Sequence, residues 1–401
     1  MTVRMTSKDL IQDVIDDLAE QIRDEEIIHR DLLEDLSKSI SMEEVTILKG
    51  VRRSGKTFMM YGLWKRFGGI YVNFEDERLM DFSIDDFQKI VDIARSSGEK
   101  VLYLDEVQEV SGWEKFVSRI HRRMKVMVTG SNSRLLSSDY SRGLVGRTKS
   151  YESHTLNFGE FLRFRELKNT RSSLLDYMRT GGFPRIVISG DGSLVKEYLD
   201  RMLYRDIIAK NEIRYPEALK AMAYYLLSNI GKEFSFRSLK EVSGLSHEST
   251  IREYIGLLQD AYLLKIIKAY SGSLKKQERY SKKVYTTDQS LARLGKRREA
   301  DDGRILENVV FNHLDPEGDL FFFKDTNEVD FLLCDGLKPI RGVNSTFEAD
   351  EERTLSREIR GLKMVRERYD IPVDIVSVYP VEGLPEGITN RLVNRYLVED
   401  M

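Results

Sequence analysis

Short apolar runs recur along the first part of the chain: VTILKG (45–50), GIYVNF (69–74), KVLYLDEV (100–107), KVMVTGSN (125–132) and KSYESHTL (149–156). Runs of this length and composition read as buried strands. Between them, 56–67, 84–97 and 112–123 carry apolar residues at helical spacing. Buried strands alternating with helices predict an α/β fold, a mostly parallel sheet covered on both faces. Ahead of it, residues 7–37 are amphipathic and mixed in charge and predict a helix.

After Leu156 the strand pattern stops. FGEFLRFREL, SSLLDYMRT and SLVKEYLDRMLYRDIIAKNE predict helices, broken at Gly181-Gly182-Phe183-Pro184. Residues 216–270 give three short helical patterns and an apolar strand, LLKIIKAY. A basic, turn-rich stretch (SGSLKKQERYSKK) and a second strand, VYTT, follow. That order is helix, helix, helix, strand, wing, strand. From about 303 a helix (RILENVVFNHL) leads into strands DLFFFKD, EVDFLLC and LKPIRGV, then helix 351–368 and strand VDIVSVYP. The polar run GKRREADDG (295–303) marks the expected boundary before this last part. The division predicted is 1–156, 157–214, 215–298 and 299–401.

Composition narrows the function classes. The 401 residues carry 63 Lys+Arg against 66 Asp+Glu, a net charge of -3, so any nucleic-acid surface must come from local clustering. Cys334 is the single cysteine, which excludes an intramolecular disulfide and a cysteine-rich zinc site. The five histidines are scattered without metal-ligand spacing. No apolar run reaches the roughly 18 residues of a membrane span, and the charged N-terminus lacks a signal core. A cytoplasmic protein with no membrane partner is expected.

The clearest chemistry lies at Gly50–Thr57. Gly50, Gly55, Lys56 and Thr57 satisfy G-x-x-x-x-G-K-[ST], between an apolar strand and an apolar helix. Glycines let such a loop wrap so that backbone N–H groups face a phosphate, and the following helix adds its positive end. Gly50, Val51, Arg52, Arg53, Ser54, Gly55, Lys56, Thr57 and Phe58 are the expected ATP-binding residues. Lys56 bridges the β- and γ-phosphates, and Thr57 ligates magnesium together with Asp105. Asp105 and Glu106 end the apolar strand VLYLDEV. Glu106 is placed to polarise the attacking water. Asn132, after the strand VMVTG, is the first choice to orient that water, with Ser131 and Thr129 behind it. Arg147 in SRGLVGRT, with Arg142 second, is the candidate to stabilise transition-state charge.

GVRRSGKT, YVNFEDERL, VLYLDEVQEV, VTGSNSRLL, GLVGRT, HTLNFGEFL and GGFPRIV occur in one order. This resembles the archaeal and bacterial AAA-like P-loop ATPases that end in a degenerate restriction-endonuclease-like domain, over nearly the whole chain. The resemblance implies a P-loop NTPase core, a helical lid, a winged helix and a C-terminal nuclease-like α/β domain. It matches Lys56, Thr57, Asp105, Glu106, Asn132 and Arg147 to the family's motif positions. A homo-oligomer is expected, and the sequence leaves open whether Arg147 acts in its own or a neighbouring subunit.

Helix 236–243, a turn through Gly244-Leu245-Ser246 and helix 247–260 make a helix-turn-helix pattern. Ser246 is the expected N-cap. Leu239, Val242, Ile251, Ile255 and Leu258 are the expected shared core, leaving His247, Glu248, Thr250 and Arg252 exposed. Lys275, Lys276, Arg279, Lys282 and Lys283, with Tyr280 and Tyr285 interleaved, form a basic wing expected to contact DNA phosphates. In the last part, Glu307, Asp330 and PIRGVNST resemble a PD-(D/E)xK nuclease core. Gly342-Val343-Asn344 stands where E-x-K would be, and Arg341 adds positive charge beside it. Without the second acid and the lysine, no DNA cleavage is expected. The function expected is a magnesium-dependent ATPase acting on DNA. A nucleotide-controlled switch on a protein partner and a winged-helix regulator with slow turnover are the alternatives.

Overall fold

The computed structural model describes residues 6–131, 144, 146–273, 281–295, 302–347 and 352–399. The chain divides into two compact units, Met1–His154 and Thr155–Met401.

The first unit opens with α1 (Lys8–Asp24), whose N-cap Ser7 accepts from the Leu10 amide, and α2 (Leu32–Ser39). The single helix expected over 7–37 is therefore broken. Glu25 is extended (φ -69°, ψ 133°), and the Lys65 ammonium donates to the carbonyls of Arg23, at 3.0 Å, and Glu25. Those bonds satisfy oxygens that α1 leaves open at its end. The intervening segment also carries Arg30 inward, 6% exposed.

Strands β1 (Val45–Gly50), β2 (Ile70–Asn73), β3 (Val101–Asp105), β4 (Lys125–Gly130) and β5 (Thr148–Ser153) form one sheet in the order β2-β3-β4-β1-β5. Every pairing is parallel. Helices α3 (Lys56–Phe67), α4 (Phe87–Ser97) and α5 (Trp113–Ile120) are the crossovers. Strand alternation sorts the apolar residues to two faces. Val45, Ile47, Ile70, Val72, Leu102 and Leu104 join α4 and α5 in one core, and Leu48, Tyr71, Tyr103 and Met127 join α3 in the other. Both faces are buried, which is why these strands read as continuous apolar runs. Their carboxyl ends bring Gly50, Asn73, Asp105, Gly130 and Ser153 to one edge of the sheet.

The second unit begins with α6 (Phe158–Phe164), α7 (Arg171–Thr180), α8 (Pro184–Ser189) and α9 (Leu194–Arg201), which runs into a π-helical turn, Met202–Ile208. Helices α10 (Pro216–Ser228), α11 (Phe236–Ser243) and α12 (Glu248–Asp260) follow. They adjoin β6 (Glu233–Phe234), β7 (Leu264–Lys268) and β8 (Lys282–Thr286), an antiparallel sheet in the order β6-β8-β7. After α13 (Gln289–Leu294) and α14 (Asp302–Leu314) comes a second sheet, order β13-β12-β11-β10-β9. It contains β9 (Asp319–Lys324), β10 (Glu328–Asp335), β11 (Lys338–Thr346), β12 (Val373–Ser377) and β13 (Ile388–Leu392). Helix α15 (Glu352–Tyr369) links β11 to β12, and α16 (Val393–Glu399) closes the chain.

The three parts expected after 156 share packing here. One hydrophobic core runs from Leu156, Phe158 and Tyr177 through Ile267 and Tyr285 to Phe311, Phe331, Val376 and Tyr396. Tyr285 of β8 stacks on Phe311 of α14 with centroids 4.2 Å apart, and the Tyr270 amide donates to the Phe322 carbonyl at 2.7 Å. The polar run 295–303 thus joins two segments of one unit. Among the described residues, no helix is long and apolar enough to cross a membrane.

Candidate nucleotide-binding site

The loop between β1 and α3 has the shape its sequence asks for. Gly50 (φ +145°) lies so close to β5 that a Cβ would come 2.1 Å from the Ser153 carbonyl oxygen. Any side chain at 50 therefore collides with backbone. Gly55 (φ +94°) turns the chain into α3, and Arg53 is also left-handed at φ 68°. The Ser54 hydroxyl meets that of Ser153 at 2.8 Å. Arg30 donates to the Ser54 carbonyl at 2.6 Å and to that of His154 at 2.9 Å. The Lys56 ammonium folds onto the loop, donating to the carbonyls of Gly50 at 3.0 Å and Val51 at 3.1 Å. Val51 is buried, while Phe58 stands 48% exposed on the first turn of α3. Arg52 pairs with Glu75 at 3.2 Å.

Asp105 is the hub beside this loop. Its Oδ2 accepts from the Thr57 hydroxyl at 2.9 Å and from the Tyr71 phenol at 2.9 Å. Its Oδ1 accepts from the Thr129 hydroxyl. Thr129 in turn accepts from the Glu106 amide at 2.9 Å. Burial pushes the Asp105 carboxyl above its ordinary range, neighbouring Glu106 adds to this, and the three hydroxyls oppose it. Glu106 sits in left-handed backbone (φ 50°, ψ 45°), a strained position for a non-glycine residue. Its carboxylate accepts from the Gln108 side chain.

Thr57 and Asp105, predicted from sequence to share a metal, are thus in direct contact, with Lys56 on the same loop. The donor set suits magnesium, which takes oxygen ligands and keeps part of its water shell. Ser131 is buried at the end of β4, and Arg147 is exposed ahead of β5. Asn132 and Arg142 lie outside the described residues. Sequence reasoning missed Tyr71 and Arg30, which reach the site through contacts between segments, and Gln108, two residues from its partner Glu106.

The basic wing needs correction. Lys275, Lys276, Arg279 and Tyr280 lie outside the described residues. Lys283 turns inward, 3% exposed, and pairs with Glu307, Glu328 and Asp330, so it offers nothing to DNA. Tyr285 is fully buried. Lys282 remains half-buried beside the Phe236 ring. Helix α12 starts at an uncapped His247, one residue past the expected Ser246 cap. Val242, expected in the shared core, is 40% exposed at the end of α11, where Glu241 and Gly244 are exposed too, while Leu239, Ile251, Ile255 and Leu258 are buried. His247, Glu248 and Arg252 are exposed and Thr250 is half-buried. Arg341 pairs with Asp374 of β12 at 2.8 Å.

The AAA domain family matches residues 42–162, a span that holds the P-loop, the β3 acids, β4 and Arg147. A domain of unknown function, DUF8612, matches 171–300. The uncharacterized protein MJ1544 of Methanocaldococcus jannaschii is 32% identical over 391 residues, covering 89% of this chain and 87% of that protein. The chain belongs to the MJ1544 family. An uncharacterized protein of Haemophilus influenzae, 30% identical over 338 residues, covers 76% of this chain and 83% of its own length. Two solved structures are similar in part. The Walker-type ATPase PABY2304 of Pyrococcus abyssi is 15% identical, with a TM-score of 0.47, 68% of this chain covered and 97% of that one. The RuvB Holliday junction branch migration motor of Thermotoga maritima is 16% identical, with a TM-score of 0.31, covering 63% and 94%. This MJ1544-family chain carries an AAA-type, P-loop ATPase-like domain.

Proposed function

We propose that this MJ1544-family chain is a magnesium-dependent ATPase that couples ATP binding and hydrolysis to a change in how its second unit holds DNA. The observation that carries the ATP chemistry is the 2.9 Å contact of Thr57 with Asp105 beside Lys56. Lys56 would leave the carbonyls of Gly50 and Val51 for the phosphates, a stronger, charge-assisted partner. Thr57 and Asp105 would hold magnesium, which supplies charge neutralisation at the transferring phosphate. Glu106, released from Gln108, would draw the proton from the attacking water. Arg147 would offset charge developing in the transition state.

DNA as the partner is supported by α11 and α12 beside the three-stranded sheet, an arrangement suited to a winged helix. Lys275, Lys276 and Arg279 add charge within the connection between β7 and β8. A second reading, a nucleotide switch on a protein partner, is favoured by one observation. Glu248 on the exposed face of α12 pairs with Lys240 and Arg252, which leaves that face less basic than its sequence suggests. Cleavage of DNA is not part of the proposal, because Gly342 and Asn344 replace the acid and lysine that such chemistry needs.

The test compares ATP turnover alone and with single-stranded, duplex or branched DNA. Stimulation by DNA is the expected result. Turnover unchanged by any DNA, together with no DNA binding, transfers the assignment to a protein partner. Lys56→Ala should lose ATP binding, and wild-type affinity in that variant would remove the nucleotide site altogether.

A further inference from the structure

The acids of the nuclease-like half meet a cation supplied by the chain itself. Lys283 and Tyr285, two apart on β8, face the same way, toward α14 and β10. The Lys283 ammonium lies 3.2 Å from Glu307, 2.6 Å from Glu328 and 3.8 Å from Asp330. The Tyr285 hydroxyl donates to Glu307 at 2.7 Å. The second Asp330 oxygen accepts from the Ser345 amide at 3.0 Å and its hydroxyl at 3.1 Å. On the far side, Gly231 (φ +68°) is so close that a Cβ there would stand 2.7 Å from Glu307 Oε2. The Gly231 amide is bonded to the Val284 carbonyl at 2.9 Å, which fixes that wall.

A nuclease of this fold would place a divalent metal between the helix acid and the strand acid. Magnesium demands oxygens at about 2.0–2.1 Å in octahedral array, with several waters. The pocket does not fit it. The space between Glu307 and Asp330 holds an ammonium 3.2 Å from the first and 3.8 Å from the second, and backbone closes one side. Gly342 and Asn344 bring no further charge, and Asn344 spends its carbonyl oxygen on the Asp330 amide at 2.8 Å. Among the described residues no group of three or more His, Cys, Asp or Glu is arranged to hold a metal. The same ammonium is strongly bound where it is. Burial alone would lower the lysine pKa, but the three carboxylates outweigh it and raise it.

We propose that Lys283 is the resident cation of this pocket, taking the charge-neutralising role a divalent metal has in an active nuclease and thereby excluding metal from the C-terminal half. The lysine read as a wing residue is an internal counter-ion instead, joining the three-stranded sheet to the nuclease-like sheet.

The experiment uses the full chain without nucleotide and follows Mn²⁺ binding by electron paramagnetic resonance. Wild type should bind no equivalent of Mn²⁺ that Asp330→Asn removes. K283M frees the acids and should gain one equivalent of Mn²⁺ per chain, at least tenfold tighter than any wild-type site. The gained site should vanish in K283M/D330N. If circular dichroism finds K283M unfolded, K283M/E328Q takes its place, since it sheds the outer acid and keeps Glu307 and Asp330. A wild-type Mn²⁺ site lost on Asp330→Asn would overturn the proposal. So would a folded Lys283 variant that binds no more Mn²⁺ than wild type.

Discussion

Arg30 donates to the carbonyl oxygen of Ser54 across 24 residues of sequence. Its other terminal nitrogen holds the carbonyl of His154, the last residue of the first unit. One buried guanidinium therefore ties the phosphate loop to the end of β5. Arg30→Ala should loosen the loop and cost about 2–3 kcal/mol of stability, the size expected when charged hydrogen bonds are lost. ATP affinity should fall with it, roughly tenfold for each 1.4 kcal/mol of loop ordering that binding must then supply. Urea unfolding and calorimetric titration of ATP measure the two effects. Unchanged ATP affinity in a destabilised variant would confine Arg30 to a structural role.

Tyr71 and Thr57 share one oxygen of Asp105. Tyr71→Phe removes a donor while keeping the ring, which packs against Tyr103. Asp105 should then be held less firmly for magnesium. The magnesium concentration for half-maximal turnover should rise roughly tenfold, the usual scale for losing a group that orients a metal ligand, with a smaller change at saturating metal. A metal titration of ATP turnover checks this. Equal loss at all magnesium concentrations would place Tyr71 elsewhere in the mechanism.

Glu106→Gln should retain ATP binding while turnover drops by about 10²-fold or more, since an amide cannot take the proton from water. Single-turnover measurements against nucleotide binding separate the two. Persistent near-wild-type turnover would mean that another residue prepares the water.

Glu358 of α15 gives a pH test. Burial first, then Asp330, pushes its carboxyl up to about 7 from an ordinary 4.5. Between those values the folded protein keeps a proton that the unfolded chain releases, so stability falls as pH rises through this window. The contribution is about 1–3 kcal/mol. Glu358→Gln should flatten the difference in urea stability between pH 5 and pH 8. Part of the slope should persist, because burial pushes Glu307 up to about 7 as well. An unaltered slope in Glu358→Gln would show that this carboxyl does not titrate there.

The first unit was readable because its chemistry is local. Glycines, a lysine and a threonine within eight residues of an apolar strand specify the loop, and β3 ends on its acids. Arg30 and Tyr71 carried no such signal. Their partners are 24 and 34 residues away, and an arginine in a charged segment or a tyrosine in a strand has many ordinary uses. Lys283 was misread for a related reason. A run of lysines looks solvated until one of them falls on the inward side of a strand, where its neighbours are acids 24 to 47 residues further on. The core shared across 295–303 was not legible because a polar run signals only exposure of a connection, whereas a shared core is decided by side chains such as Tyr285 and Phe311 on either side of it.

Lys283 also binds several positions into a single inherited character. A descendant that gained an acid at 342 and a lysine at 344 would still have an ammonium between Glu307 and Asp330, and a descendant that lost only the lysine at 283 would bury unbalanced carboxylates. Neither step serves alone. Positions 283, 307, 328 and 330 should therefore change together across a lineage or not at all, and any metal-dependent chemistry at these acids would have to begin in the neighbouring sheet.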